Sequence, residues 1–190
     1  MVEGTEKMTI PIHELKMKVL RDHALEYGLE VLVETGTFEG DAVDSLLDDF
    51  KTIYSIELNP ILYERAKERF KDNKHVHLLF GDSTVVLPVL LNSVKVPTLF
   101  WLDAHYSGGE TALGETITPV VFELAAIFEK VHPRSVVLID DARLFVTDKG
   151  YPELDRVMDG LRTFMPDHFT VIANDMIRCC PSLSQPQVPF

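Results

Sequence analysis

Short apolar runs alternate with helical stretches along most of this 190-residue chain. The apolar runs are rich in β-branched residues and predict strands, and the stretches between them predict helices. A strand that is followed each time by a helix predicts a parallel sheet with helices on both faces, because parallel neighbours need a long crossover. The predicted strands are 30–34, 52–57, 75–80, 98–103 and 135–140, and the predicted helices between and after them are 41–49, 60–71, 83–91, 119–130 and 152–164.

The two ends of the chain depart from this alternation. A further helix is predicted over 12–27, before the first strand, and two last strands are predicted over 169–173 and 176–180. Only Asn174 and Asp175 separate these two strands, so they must form an antiparallel hairpin. The predicted fold is therefore an α/β, doubly wound, mostly parallel seven-stranded sheet with a C-terminal antiparallel hairpin.

Length and patterning predict one domain over 29–181, preceded by a helical segment over 1–28 and followed by a flexible proline-rich tail over 182–190. The formal charge of −12 disfavours a nucleic-acid partner and suits a positively charged one, such as a metal ion or a sulfonium compound. Apolar stretches fall far short of the roughly 20 residues of a bilayer span. Residues 1–10 lack a secretory pattern, so we expect a cytoplasmic protein without a membrane partner.

Every strand of the predicted parallel sheet ends in an acidic residue. The carboxyl ends of parallel strands lie at one edge, where open α/β sheets bind their ligands. This edge is therefore the predicted site. Its acidic residues, in chain order, are Glu34, Glu57, Asp82, Asp103, Asp140 and Asp141.

The first strand ends in the sequence ETGTFEG, residues 34–40. Gly36 and Gly40 permit a tight turn and close approach of a ligand, and Glu57, about twenty residues later, could accept hydrogen bonds from a ribose diol. A nicotinamide-dinucleotide site has similar features, so an NAD-dependent oxidoreductase is an alternative. However, the glycine spacing differs from Gly-x-Gly-x-x-Gly, and Glu34 and Glu39 would repel a pyrophosphate.

Together with FGDS after the third strand and the final hairpin, these motifs resemble the class I S-adenosylmethionine (SAM)-dependent methyltransferases over about residues 29–180. The resemblance implies a Rossmann-like fold and SAM as cofactor. It also implies that the first loop wraps the methionine and ribose, that Glu57 holds the ribose hydroxyls and that Asp82 contacts the adenine. The implied cofactor-binding residues are Glu34, Thr35, Gly36, Thr37, Gly40, Glu57, Leu58, Gly81, Asp82, Ser83 and Asp103.

The sequences WLDAH and LIDDAR, which end the fourth and fifth strands, resemble the metal-dependent O-methyltransferases of the catechol and macrocin type. That resemblance implies that Asp103, Asp140 and Asp141 hold Mg²⁺, which lowers the pKa of a substrate hydroxyl. His105 would then be the general base beside Asp103. The simpler interpretation is that the aspartates cap turns without a metal and that His105 is an ordinary loop histidine.

The two resemblances imply a methyltransferase that carries a methyl group from SAM to a hydroxyl of a small molecule with Mg²⁺ assistance, and the acidic composition predicts no nucleic-acid partner. A homodimer is left open. The long insert after Asp103 departs from the catechol-type pattern, and Gly108 and Gly109 within it suit the hinge of a lid over the substrate. Besides the oxidoreductase, which predicts a parallel sixth strand instead of the hairpin, a non-catalytic SAM- or nucleoside-binding protein is an alternative.

Overall fold

The computed structural model describes residues 11–103 and 118–182 of the chain. Most helices and strands lie within a few residues of the predicted bounds. The helices are α1 Ile12–Tyr27, α2 Asp41–Ser45, α3 Pro60–Arg69, α4 Ser83–Leu90, α5 Val120–Lys130, α6 Leu144–Thr147 and α7 Leu154–Phe164. The strands are β1 Val31–Thr35, β2 Thr52–Glu57, β3 Val76–Phe80, β4 Thr98–Leu102, β5 Val136–Ile139, β6 His168–Ala173 and β7 Met176–Pro181.

Three helical features differ from the sequence prediction. Helix α2 ends at Ser45 rather than at residue 49, because the amide of Leu46 bonds to the carbonyl of Val43, three residues back, and the chain continues in turns. Helix α7 begins at Leu154 and not at Pro152, since Glu153 before it has an extended backbone with ψ of 135°. The short helix α6 was not predicted.

Five parallel strands and an antiparallel hairpin form one sheet, in the order β3-β2-β1-β4-β5-β7-β6. Strand β7 lies antiparallel to both β5 and β6. Asn174 and Asp175 form the hairpin turn with φ of 54° and 60°, the left-handed conformation that both residue types tolerate in two-residue hairpins. The predicted mostly parallel sheet with its final hairpin is confirmed. Among the strands that the structure describes, the sixth, β6, pairs antiparallel with β7 rather than parallel to a neighbour as the oxidoreductase alternative would require.

Helices cover both faces of this sheet. Strand β4 is buried along its whole length, with Phe100 and Leu102 in the cluster beneath α4, α5 and α7, and Leu99 and Trp101 in the cluster beneath α1, α2 and α3. Burial on both faces explains why its sequence is continuously apolar rather than alternating. No helix in the described ranges is long and apolar enough to cross a membrane.

The sheet order also fixes the position of the site. Strand β1 lies between β2 and β4, so the chain turns to one side after β1 and to the other side after β4. This reversal opens a crevice at the carboxyl ends of the two strands. The loops after β1, β2, β3, β4 and β5 therefore meet at one edge of the sheet.

Candidate functional site

The loop after β1 is held against the end of β2. The amides of Gly36 and Thr37 both donate to the carbonyl of Ile56, at 2.9 and 3.3 Å. Gly40 ends this loop with φ of 83°, and a Cβ atom there would lie 2.8 Å from Cε2 of Phe70. Only glycine fits that backbone and that space, so the second glycine of the motif is required by the packing of α3 against the loop.

Glu34, at the start of the same motif, is buried. It accepts a hydrogen bond from the hydroxyl of Ser55, which lies 2.5 Å from the hydroxyl of Thr37. Burial and, to a smaller extent, the charges of Asp103 and Glu57 raise the pKa of Glu34 from about 4.5 to about 8, against the hydrogen bond from Ser55, which lowers the pKa. Glu34 is therefore mostly a neutral carboxylic acid at pH 7, held inside the first loop.

Glu57, at the end of β2, joins two loops through its carboxylate. One oxygen accepts from the amide of Phe38 in the first loop at 2.8 Å, and the other accepts from the amide of Asn59 at 2.7 Å. The side chain of Asn59 in turn caps α3. Glu57 is 6% exposed, and half-buried Leu58 follows it directly. A carboxylate fixed in this way beside the first loop retains free lone pairs for a ligand.

The loop after β3 contains Gly81, Asp82 and buried Ser83. The amide of Gly81 bonds to the carbonyl of Glu57 at 2.9 Å, which ties this loop to the end of β2. Asp82 caps α4, because its Oδ1 accepts from the amide and the hydroxyl of Thr84 at 2.9 and 2.7 Å. Asp82 is thus the N-cap of α4.

Strands β4 and β5 bring Asp103, Asp140 and Asp141 to the same edge. The amide of Asp103 bonds to the carbonyl of Thr35 at 3.2 Å, and the amide of Asp140 bonds to the carbonyl of Leu102 at 3.0 Å. Asp140 and Asp141 are each 7% exposed. Burial and the charge of Asp103 raise the pKa of Asp140 above its ordinary value.

Lys16 of α1 reaches this acidic edge. Its Nζ lies 2.5 and 2.6 Å from the two carboxylate oxygens of Asp140 and 3.5 Å from Asp141, and its side chain is 13% exposed. Burial lowers the pKa of Lys16, but the hydrogen bond to Asp140 and the surrounding carboxylates outweigh burial and raise the pKa above its ordinary value. Lys16 therefore carries a full positive charge at neutral pH.

A small, shallow cleft lies beside these aspartates. Glu123 of α5 lines it and is 1% exposed; burial raises the pKa of Glu123 to about 7, and its Oε1 has no hydrogen-bond partner within the described ranges. Its lining combines apolar and polar side chains, as the lining of small-molecule sites does. Its lining residues are Leu102, Asp103, Thr118, Val120, Glu123, Ile139, Asp140, Phe145 and Tyr151.

Solved structures with SAM or its demethylated product share this architecture. The chain matches methyltransferase PaMTH1 of Podospora anserina, bound to S-adenosylhomocysteine (SAH), with a TM-score of 0.65 and 14% identity over 88% of this chain and 78% of that one. It matches O-methyltransferase TomG of Streptomyces achromogenes, in complex with SAM, with a TM-score of 0.61 and 18% identity over 92% and 81%. It also matches an O-methyltransferase of Bacillus cereus, in complex with SAH, with a TM-score of 0.64 and 15% identity over 93% and 84%.

The chain has the fold of the class I methyltransferases. Identities of 14–18% show a shared fold and no more. No family model matches the sequence, and no curated protein matches it.

On this methyltransferase fold, the sequence-predicted cofactor residues lie together at the carboxyl ends of β1 to β4. Asp103, Asp140 and Asp141 also lie at that edge, but among the residues described here no three His, Cys, Asp or Glu side chains form a metal-binding group. His105, Gly108 and Gly109 lie outside the described residues. Their predicted roles stay predictions.

Two residues of this site, Glu123 and Lys16, were not predicted from the sequence. Glu123 lies on the buried face of α5 with Val120, Leu124 and Ile127, and a charged residue on such an apolar stripe is a detectable signal. Lys16 gives no comparable signal, since lysines at the margin of a buried helix face are common and its partner Asp140 is 124 residues away.

Proposed function

We propose that this protein transfers a methyl group from SAM to a hydroxyl group of a small-molecule acceptor. The observation that carries the proposal is the position of Glu57, a buried carboxylate fixed between the first loop and α3 at the end of β2. A ribose diol offers two hydroxyl donors, which match the free lone pairs of such a carboxylate. The shared fold with SAM- and SAH-bound structures supports the same ligand.

In this proposal the loops after β1, β2 and β3 each contact a different part of the cofactor. The first loop, with Glu34, Thr35, Gly36, Thr37 and Gly40, holds the methionine and ribose. Glu57 and Leu58 hold the ribose, while Gly81, Asp82 and Ser83 line the adenine. Asp103 lies between the cofactor end of this edge and the cleft, so the sulfonium would face the acceptor there.

The cleft beside Asp103 is the proposed acceptor site. Methyl transfer requires the acceptor oxygen to lie in line with the methyl–sulfur bond and to lose its proton. We assign this proton transfer to His105, with Asp103 orienting the reacting groups. No step is assigned to Mg²⁺, because the carboxylates implied as its ligands do not fit it as folded: Lys16 occupies both oxygens of Asp140.

An amine is the second candidate acceptor. Asp103, Glu123 and Asp140 all line the cleft, and several carboxyl groups favour binding of an amine, which becomes the nucleophile once it has lost its proton. TomG and the Bacillus cereus protein are O-methyltransferases, which favours the hydroxyl. A panel of catechols, sugars and small amines with methyl-labelled SAM separates the two acceptor classes, since the label appears in a different product.

Calorimetry with SAM and NAD tests the cofactor assignment. We expect SAM to bind with micromolar-range affinity and NAD not to bind. Glu57→Ala should weaken SAM binding by about 1.5–3 kcal/mol, the range for hydrogen bonds to a charged acceptor. The exposed Glu129 supplies the control, Glu129→Ala, which should bind SAM as wild type does. Unchanged SAM affinity in folded Glu57→Ala would exclude the ribose role.

Kinetics of His105→Ala test the base. Loss of a general base should slow methyl transfer by about 10²–10⁴-fold and leave SAM affinity nearly unchanged. The rising limb of the pH–rate profile should disappear in the same variant. Near-normal turnover with an unchanged pH profile would remove His105 from the mechanism.

A further inference from the structure

The acidic edge formed by Asp103, Asp140 and Asp141 already contains a cation. The ammonium of Lys16 contacts both oxygens of Asp140, at 2.5 and 2.6 Å, and lies 3.5 Å from Asp141. Only 13% of the Lys16 side chain and 5% of the Asp140 side chain are exposed, so this ion pair is partly buried and largely shielded from solvent. A buried ion pair at this distance is far less screened by salt than one at the surface.

Asp140 and Asp141 each accept a further hydrogen bond besides their contact with Lys16. Asp140 Oδ1 accepts from the amide of Asp141 at 2.7 Å, and Asp141 Oδ1 accepts from Nη1 of Arg143 at 2.7 Å. Each of the two neighbouring carboxylates thus has a cationic side chain as partner. A magnesium ion needs carboxylate oxygens at about 2.0–2.1 Å and would face the Lys16 ammonium across the same oxygens.

The backbone that carries Lys16 is held by the packing of α1. It lies on α1 beside Met17, and Met17 and Leu20 are 3% and 0% exposed in the core cluster that also contains Trp101 and Leu138. Moving the helix away from the sheet would expose these apolar side chains to water. The packing that covers β4 and β5 therefore keeps Lys16 within reach of Asp140.

We propose that the ammonium of Lys16 is the resident cation of this edge, in place of a divalent metal ion, and that Lys16 positions Asp140 beside the acceptor cleft. A consequence, which rests on the proposed function, is that methyl transfer needs no divalent metal. The first statement concerns cation binding alone and is tested without any acceptor.

Manganese binding, followed by the electron paramagnetic resonance of free Mn²⁺, tests this inference directly. Wild type should show no Mn²⁺ site that depends on Asp140. Lys16→Met, which keeps the apolar stem and removes the charge, should gain such a site, with affinity at least about tenfold above any wild-type binding. Adding Asp140→Asn to Lys16→Met should abolish it. Lys18→Met is the matched control, because Lys18 lies on the same helix with 60% of its side chain exposed and pairs with Asp22.

Two results would overturn the inference. The first is a saturable Mn²⁺ site in wild type that Asp140→Asn removes. The second is a folded Lys16→Met protein, verified by circular dichroism, that gains no Mn²⁺ binding. If Lys16→Met does not fold, the comparison of wild type with Asp140→Asn decides alone, since an Asp140-dependent site in wild type contradicts the inference and its absence supports it.

Activity provides the second measurement. EDTA-treated wild type should retain methyl transfer within about twofold of the untreated enzyme, and loss of transfer that Mg²⁺ restores would contradict a metal-independent reaction. A wrong proposed function would give a different result. No acceptor would then be methylated with or without EDTA, while the Mn²⁺-binding results would still support Lys16 as the resident cation.

Discussion

The buried carboxyl of Glu34 should make the stability of this protein depend on pH in a way that one substitution removes. In the folded chain the pKa of Glu34 is raised from about 4.5 to about 8 by burial, with the charges of Asp103 and Glu57 adding to it. Between these two values the unfolded chain releases the Glu34 proton while the folded chain keeps it. Deprotonation therefore stabilises the unfolded state, and the free energy of unfolding should fall as pH rises through this interval.

The size of the effect follows from the two pKa values. An interval from 4.5 to about 8 corresponds to at most about 5 kcal/mol, at about 1.4 kcal/mol for each tenfold change in proton affinity. The contribution is fully favourable below pH 4.5 and is fully lost above pH 8. Glu34→Gln keeps the shape and can still accept from Ser55, but it cannot ionise. Its stability should match wild type near pH 5 and exceed it by a few kcal/mol at pH 9.

Urea unfolding of both proteins at each pH between 5 and 9 measures this difference. Glu129→Gln is the control, since Glu129 is exposed on α5 and its substitution should leave the wild-type curve unchanged in shape. The reasoning fails if the curves of wild type and Glu34→Gln run parallel over the whole range. Parallel curves would mean that Glu34 is ionised in the folded protein at neutral pH.

Three further changes test the packing around the site by urea unfolding. Gly81→Ala should destabilise the protein by about 1–3 kcal/mol, because Gly81 has φ of 138° and the new Cβ would lie 2.9 Å from Val86. Gly160→Ala should instead stabilise the protein by about 0.5–1 kcal/mol, because Gly160 is helical and the new Cβ would meet ordinary contacts at 3.7 Å. Equal effects of the two substitutions would contradict the backbone argument. Asp82→Ala should lower the free energy of unfolding by about 1 kcal/mol because the α4 cap is lost, whereas Asp82→Ser keeps a capping hydroxyl and should lower it little. Weaker SAM binding by the serine variant would therefore report the adenine contact separately from the cap. An alanine variant as stable as wild type would argue against the cap. Phe100→Ala should cost about 3–5 kcal/mol, because Phe100 is 1% exposed in the core; a loss below about 1 kcal/mol would show that the core is not packed as described.

Much of the fold could be predicted because local patterns repeat over many residues. The continuous apolar run of β4 indicated a strand buried on both faces, and the two residues between β6 and β7 left room only for a hairpin. The start of α3 at Asn59 and Pro60 was equally predictable, because an asparagine cap and a proline in the first turn act within a few residues. By contrast, Pro152 led to a predicted start of α7 that is two residues too early. The backbone of Glu153, which the proline before it does not determine, places the start of the helix at Leu154.

The candidate site was predictable where its residues lie at the carboxyl ends of the parallel strands. The sequence by itself determined that acidic residues end the parallel strands and that such strands share an edge, so Glu34, Glu57, Asp103 and Asp140 could be placed together. Tertiary structure alone decided their charge and their partners. Lys16 meets Asp140 across 124 residues because α1 packs over β4, and Glu34 becomes neutral because the first loop folds inward over it. Burial and long-range pairing are properties of the packed chain, and a strand-end carboxylate has the same sequence signature whether it faces a metal ion, an ammonium group or water.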